Sequence, residues 1–343
     1  VDLLHVATGQ STIAHGRIKS LNLDAVRLAE GVVDVITVSD VPGDPDVSPV
    51  YTGDMLLASE KVVYIGQPIF AVAAISLELA KKACQQATIK YEELEAVLTP
   101  QQALANESFV LPTRSLVKGD VDQAIESATH VVEAEQFVRG QEHFYLEGQI
   151  SMALPTEDGG VHVISSSQHP SEVQKLVASV LGLNIHQVQS ETRRMGGGFG
   201  GKESQAAILA CTASLFAVRN RRAVKYRMPR QDDMVQTGKR HDFWNRYRAG
   251  VTEQGVIVGV QMELAGLCGC TADLSEGIVD RAMFHADNAY YYPATRINGY
   301  RCKTNTVSNT AFRGFGGPKG MIAAEAMMDD IARKVGRDPL DVR

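Results

Sequence analysis

This chain of 343 residues has no excess of basic residues, no C-x-x-C pair and no long apolar run. Its formal net charge is -6, from 34 Lys and Arg against 40 Asp and Glu, so it lacks the positive footprint of a nucleic-acid-binding protein. Five cysteines, an odd count without C-x-x-C spacing, supply neither a disulfide framework nor an iron–sulfur or zinc ligand set. Cys268 and Cys270 bracket a single residue and read as core or loop thiols rather than metal ligands. These thiols fit a reducing cytoplasm. No stretch approaches the roughly 20 apolar residues of a membrane span, and no basic segment leading into an apolar one opens the chain. The expectation is a cytoplasmic protein that meets neither nucleic acid nor membrane.

What is present is ordinary globular material, 44% hydrophobic and 22% charged, and long enough for two domains with sizeable cores. The chain opens on Val1 rather than methionine and stops on "GRDPLDVR", which reads as the start of another element. A piece of a longer polypeptide is expected.

The first third alternates strand-like and helix-like stretches. "GVVDVITVS" and "QPIFAVAAI" read as strands, a helix follows from about Leu77 to Gln86, and "ATIKYEEL" is strand again. Between Leu94 and Gly119 the pattern loosens, with two prolines and only a short helical stretch, and residues 99–129 read as a linker. Beyond it, "HVVEAEQFVRGQEHFYLEGQISMALP" alternates as strands do, and "GVHVISSS" adds another. "SEVQKLVASVLG" is a helix, with Ser171 and Gln174 as an S-x-x-Q capping box and Gly182 as its end. "SQAAILACTASLFAVRN" is apolar nearly throughout, as a buried helix is. "RYRAGVTEQGVIVGVQMEL" reads as two strands about Gln254-Gly255, and "MIAAEAMMDDIARKVG" as a helix closed by Gly336.

Two loops share four letters, Gly198-Phe199-Gly200-Gly201 and Gly314-Phe315-Gly316-Gly317, and each precedes a helical pattern. Glycines there let backbone approach a ligand and aim amide N–H groups at it, ahead of a helix N-terminus that favours electron-rich oxygen. Tight turns for close helix packing are the commoner reason for one such loop; a duplicated pair favours one long ligand. From Gly196 the first loop also spells G-x-x-x-x-G-K, but Glu203 stands where a hydroxyl must hold nucleotide-bound magnesium. A Rossmann reading fails too, because no βαβ unit with a ribose-binding acid follows.

Together "GQEHFYLEGQ", "SSSQHPSEVQ", "RRMGGGFGGKES", "TGKRHDF", "DLSEGIVDRAMFHADN" and "SNTAFRGFGGP" resemble the molybdenum-binding subunits of the xanthine dehydrogenase branch of the molybdenum hydroxylase family. The resemblance implies an α+β chain: an α/β hammerhead domain over residues 1–98, the linker, and a first molybdopterin-binding domain over residues 130–343. It implies a molybdenum cofactor here, with iron–sulfur clusters and FAD in a partner domain or subunit, an (αβ)2 assembly and NAD as the final acceptor. The family hydroxylates a carbon beside a ring nitrogen with oxygen from water, so hypoxanthine or xanthine is the implied substrate. Aldehydes or other N-heterocycles are the alternative, and a non-catalytic cofactor-binding or decayed fragment is an alternative of another class.

Carried over by motif, Gln168, Phe199, Gly200 and Arg313 would contact the cofactor. Of these, Gln168, Phe199 and Arg313 would lie in the molybdenum environment, Gln168 with its amide as donor. Glu203, Arg281 and Phe315 would bind substrate: the carboxyl pairs with the purine, the guanidinium meets its carbonyl, and the ring packs against it. Without the resemblance, Lys202-Glu203 would read as a solvated surface pair, Arg281 as a surface residue and Phe315 as core. The family's general-base glutamate belongs to a later domain, so no residue here takes that role and the chain alone is expected to be inactive. Glu142, Glu147 and His143 read as ordering or packing residues. Lys319 stands where the family has glutamine, a departure at one cofactor contact.

Overall fold

The computed structural model describes residues 2–343. Its contacts divide the chain into two compact units that alternate along the sequence. The first comprises Val1–Ala96, Glu142–Lys239 and Asn305–Thr310, and the second Val97–Gln141, Arg240–Thr304 and Ala311–Arg343.

Among the described residues of the first unit, seven strands form one sheet in the order Val188–Glu191, Val161–Ser165, Ile150–Pro155, Val224–Arg227, Leu4–Gln10, Pro68–Ala74, Val32–Ile36. Pro68–Ala74 is buried at every residue, and an apolar run without alternation is what a strand covered on both faces requires. Leu4 pairs in parallel with Val224 and His5 with Lys225, so one sheet draws on both of the expected domains. A smaller sheet, Lys61–Val62, Gly16–Asn22 and Thr88–Glu93, completes the amino-terminal part. The helix Leu77–Cys84 is capped by the Ser76 hydroxyl, which accepts from the Leu79 amide. The helix Ala206–Asn220 runs through the core, with Leu209, Ala213 and Phe216 packed against Val163, Val177 and Ala153.

The second unit holds a five-stranded sheet, Arg114–Lys118, Ala294–Lys303, Ile257–Gly269, Phe243–Val251, His130–Val138. The hairpin expected about Gln254-Gly255 is present, with Phe243–Val251 antiparallel to Ile257–Gly269 and Gly255 at φ 84°. Two helices cover the sheet: Ser275–Phe284 and Gly317–Val335, the latter closed by Gly336 in the left-handed conformation. Val279, Met283, Met327 and Ile331 join Phe243 and Met262 in the core.

Two expectations are corrected. Residues 99–129 are not a linker. They form the helix Pro100–Ala105, the strand Arg114–Lys118 and the helix Val121–Glu126, and the strand pairs with Ala294–Lys303 from Thr295–Lys118 to Gly299–Arg114. Their polar composition is that of an edge strand, and the partner that orders it lies about 180 residues on, outside any local window. The Ser171–Gln174 capping box is not formed either. The helix begins two residues earlier than that cap requires, at Pro170, with no side-chain cap, because proline at the first position already fixes φ there. Gln174 Nε2 instead donates to the Ile185 and Val188 carbonyls. Gly182 ends the helix as expected, at φ 64°.

His241 is buried in the second unit with Nε2 2.7 Å from Ser275 Oγ. Burial, reinforced by the charges of Lys319 and Arg240, pushes its pKa down to about 3. The unfolded chain takes up this proton near pH 6.5 and the native one only near pH 3. Stability present above pH 6.5 is therefore lost as the pH falls through that interval, by about 1.4 kcal/mol per pH unit from this group. Trp244, the only tryptophan, reports locally. Urea unfolding followed by its fluorescence should lose stability more steeply between pH 7 and pH 5 in the wild type than in His241→Asn, and parallel pH dependences would rule the imidazole out as the cause.

Candidate functional site

The first glycine loop runs through residues 193–205, between the strand Val188–Glu191 and the buried helix Ala206–Asn220. Its four-residue turn is closed by the Gly201 amide donating to the Gly198 carbonyl at 2.8 Å. Phe199 is left-handed there, at φ 56°, and is 47% exposed. A bulky residue held at positive φ is an outlier that surrounding contacts must enforce.

Gln168 supplies those contacts. Its Oε1 accepts from the Gly200 amide at 2.9 Å and the Lys202 amide at 3.2 Å, and its backbone N–H donates to the Lys202 carbonyl at 2.8 Å. A Cβ at Gly198 would sit 2.5 Å from this Oε1, so glycine there is required by close approach. Gln168 is exposed, and its Nε2 donates to nothing among the described residues. The amide donor expected to face a ligand is free to do so.

The Gly200 N–H is taken by Gln168, and the next two amides are likewise engaged, Gly201 with Gly198 and Lys202 with Gln168. Lys202 is not solvated beside Glu203: its side chain is fully buried beneath the loop. Nζ donates to the Glu147 carbonyl at 2.8 Å and to Ser166 Oγ at 2.9 Å, lies 3.5 Å from Glu147 Oε2 and stacks 4.6 Å over the Tyr145 ring. Burial lowers its pKa, with Glu147 opposing the shift.

The acids of "GQEHFYLEG" are structural partners. Burial disfavours the Glu147 charge, but the Gly196 amide at 2.6 Å, the Ser166 hydroxyl and Lys202 outweigh it and hold its carboxyl below the usual range. Glu142 pairs with Lys239 at 2.9 Å. His143 is buried, stacked on Tyr145 at 6.0 Å and packed where a Cβ at Gly201 would clash. Tyr145 in turn donates to the buried Asp233 at 2.9 Å, and Gln149 ties Tyr145 Oη to the Gly201 carbonyl. Asp233 and Tyr145, which carry this platform, had no signal of their own in the sequence.

Glu203 follows Lys202 and differs from it. Its half-buried carboxyl makes no hydrogen bond or ion pair among the described residues. Burial raises its pKa, partly offset by His169.

In the second unit, Phe315 repeats the left-handed turn at φ 58°, with the Gly317 amide donating to the Gly314 carbonyl at 3.0 Å. The loop lies directly on the helix Ser275–Phe284. A Cβ at Gly316 would be 1.7 Å from the Ile278 carbonyl, and one at Gly277 would be 3.0 Å from the Phe315 ring. Gly316 therefore serves close packing, and Phe315 is half-buried rather than core. Arg281 is one turn beyond Gly277 on this helix, exposed and without an ion pair or hydrogen bond among the described residues. Arg313 is exposed as well. Lys319 is buried, its ammonium donating to the Arg139 and Val138 carbonyls, and burial, reinforced by Arg240, lowers its pKa to about 8. Thus Gln168, Phe199, Gly200 and Glu203 come together on one platform, and Arg281, Arg313 and Phe315 on the other.

A family model for the molybdopterin cofactor-binding domain matches residues 105–343, and one for the aldehyde oxidase and xanthine dehydrogenase a/b hammerhead domain matches residues 1–95. The chain belongs to the molybdenum hydroxylase family. It is 39% identical over 341 residues to the xanthine dehydrogenase/oxidase of Gallus gallus and 41% identical over 345 residues to xanthine dehydrogenase 1 of Arabidopsis thaliana. In each case the match covers 99% of this chain and 25% of the relative, so the chain spans a quarter of these relatives' length. Among solved molybdenum hydroxylases, the aldehyde oxidoreductase of Desulfovibrio gigas is 28% identical with a TM-score of 0.89, covering 99% of this chain and 39% of that one. Quinoline 2-oxidoreductase from Pseudomonas putida 86 has the same TM-score at 23% identity, over 99% of this chain and 46% of that one, and shares the fold.

The cofactor of a molybdenum hydroxylase fits the residues present. The free Gln168 Nε2 and the Phe199 amide, also without a partner among the described residues, suit a group held by hydrogen bonds to its oxygens. Gly198→Ala should displace the Gln168 side chain, whose Oε1, Cδ and Cγ would lie 2.5, 2.8 and 3.0 Å from the added methyl, and so break its bonds to the Gly200 and Lys202 amides and lower the melting temperature. In the full-length enzyme it is expected to lower bound molybdenum several-fold, measured by metal analysis; wild-type molybdenum content would refute this role for Gln168.

Proposed function

We propose that this chain provides the cofactor-binding and purine-recognition part of a molybdenum hydroxylase that oxidises hypoxanthine and xanthine to urate. The observation that carries the reading is Glu203: a half-buried carboxyl whose pKa burial raises, with no hydrogen bond or ion pair among the described residues, in the loop that Gln168 holds. Leaving a buried carboxyl unpaired is costly unless a ligand completes it. The relatives at about 40% identity are named xanthine dehydrogenases, which supports a purine.

In this reading Gln168, Phe199 and Arg313 hold the cofactor, which supplies the oxidation itself and the transfer of water-derived oxygen to a ring carbon. Glu203 hydrogen-bonds the purine edge, accepting from a ring N–H, and burial, partly offset by His169, raises its pKa. Arg281, unpaired and exposed, meets a purine carbonyl and the negative charge that develops on it. Phe315 covers the ring face. Electrons pass to iron–sulfur clusters and FAD in a partner domain or subunit and then to NAD, within an (αβ)2 assembly in the cytoplasm.

In the full-length complex, Glu203→Ala and Arg281→Ala should each lower kcat/KM for xanthine by about two decades or more, equivalent to about 3 kcal/mol. Glu203→Gln, which keeps a neutral donor and acceptor, should lose less than Glu203→Ala. Turnover of an aromatic aldehyde should respond less to either alanine. Unchanged xanthine kinetics in both alanine variants, or a preference for aldehyde in the wild type, would overturn the purine assignment.

A further inference from the structure

The second glycine loop is gripped from within by one arginine. Arg240 is 8% exposed; it donates to the Arg313 carbonyl at 2.7 Å and to the Phe315 carbonyl at 3.3 Å. Its guanidinium carbon lies 3.9 Å from the centre of the Phe312 ring. No carboxylate pairs with it among the described residues, so two carbonyl dipoles and a π face offset the cost of burying its charge.

This grip determines which way the peptide groups face. Across a trans peptide the C=O and the N–H point in opposite directions. Carbonyls of Arg313 and Phe315 drawn toward Arg240 therefore turn the N–H groups of Gly314 and Gly316 away from it. Neither amide has a partner among the described residues, whereas the Phe315 and Gly317 amides are engaged within the loop. The first loop has the reverse polarity: Gln168 takes the Gly200 N–H, which turns the Phe199 carbonyl away instead. At the Phe–Gly peptide, two loops with the same four letters thus present opposite backbone groups.

We propose that Arg240 is a positioning residue that presents the Gly314 and Gly316 amides as a donor pair to an oxygen acceptor of the pterin cofactor. This rests on the cofactor half of the proposed function and not on the purine half.

Amide hydrogen exchange at single-residue resolution, on the full-length enzyme with its molybdenum cofactor and after its removal, reads the donor pair directly. Loading should slow exchange at Gly314 and Gly316 about tenfold or more, and should leave Gly317, already bonded to Gly314, within about twofold. No slowing at the first two, or equal slowing at all three, overturns the proposal. Arg240→Met should abolish that protection and weaken cofactor retention about tenfold, while Arg240→Lys, which keeps a donor to one carbonyl, should retain part of both. Protection and retention at the wild-type level in Arg240→Met would overturn the role of Arg240, and if that variant does not fold, full wild-type protection in Arg240→Lys does the same. Failure of the purine reading, seen as unchanged xanthine turnover in Glu203→Ala, leaves these exchange outcomes as they stand.

Discussion

Gln168 Oε1 accepts from two amides of the first glycine loop, and the Arg240 guanidinium donates to two carbonyls of the second. The rest of each platform depends on these paired bonds, because a glycine-rich segment has little conformational preference of its own. With one long side chain behind each loop, the left-handed phenylalanines at φ 56° and 58° are held in place, and the backbone groups that remain free are chosen by which ones the side chain has taken.

Beneath the first loop the support is a buried polar network and not an apolar core. Lys202, Glu147, Tyr145, Asp233 and Gln149 are joined through hydrogen bonds of 2.8–3.0 Å and an ion pair at 3.5 Å. Such a network is costly if any member is missing and rigid when complete. The neighbouring Glu203 stays unpaired beside it because Lys202, the nearest cation in sequence, is committed to the Glu147 carbonyl and the Ser166 hydroxyl. Beneath the second loop the support is close helix contact, with Gly316 over the Ile278 carbonyl and Phe315 against Gly277. The two loops share letters and not a supporting structure.

Much of the fold was legible locally. The buried strand Pro68–Ala74, the helix Ala206–Asn220 and the glycine-terminated helices Pro170–Leu181 and Gly317–Val335 follow from periodicity and end signals. The strand Arg114–Lys118 was not legible, since its order comes from pairing with Ala294–Lys303. At the site, the glycine loops and Glu203 stood out by motif. Tyr145, Asp233 and Arg240 did not, because a side chain that supports a loop from a distant segment leaves no spacing to read. The burial of Lys202 was not legible for the same reason, since it depends on residues 147 and 166 and not on its neighbours.

By itself the sequence determined most element types outside residues 99–129, the duplicated glycine motif and the family, because these rest on local periodicity and on ordered motifs along the chain. Only the tertiary structure decided which amides and carbonyls of those loops are free, that Lys202 is buried while Glu203 is unpaired, and that one sheet joins Leu4–Gln10 to Val224–Arg227. Each of these is set by a hydrogen-bond partner tens to hundreds of residues away, and a backbone group's availability depends on that partner rather than on the residue that carries it.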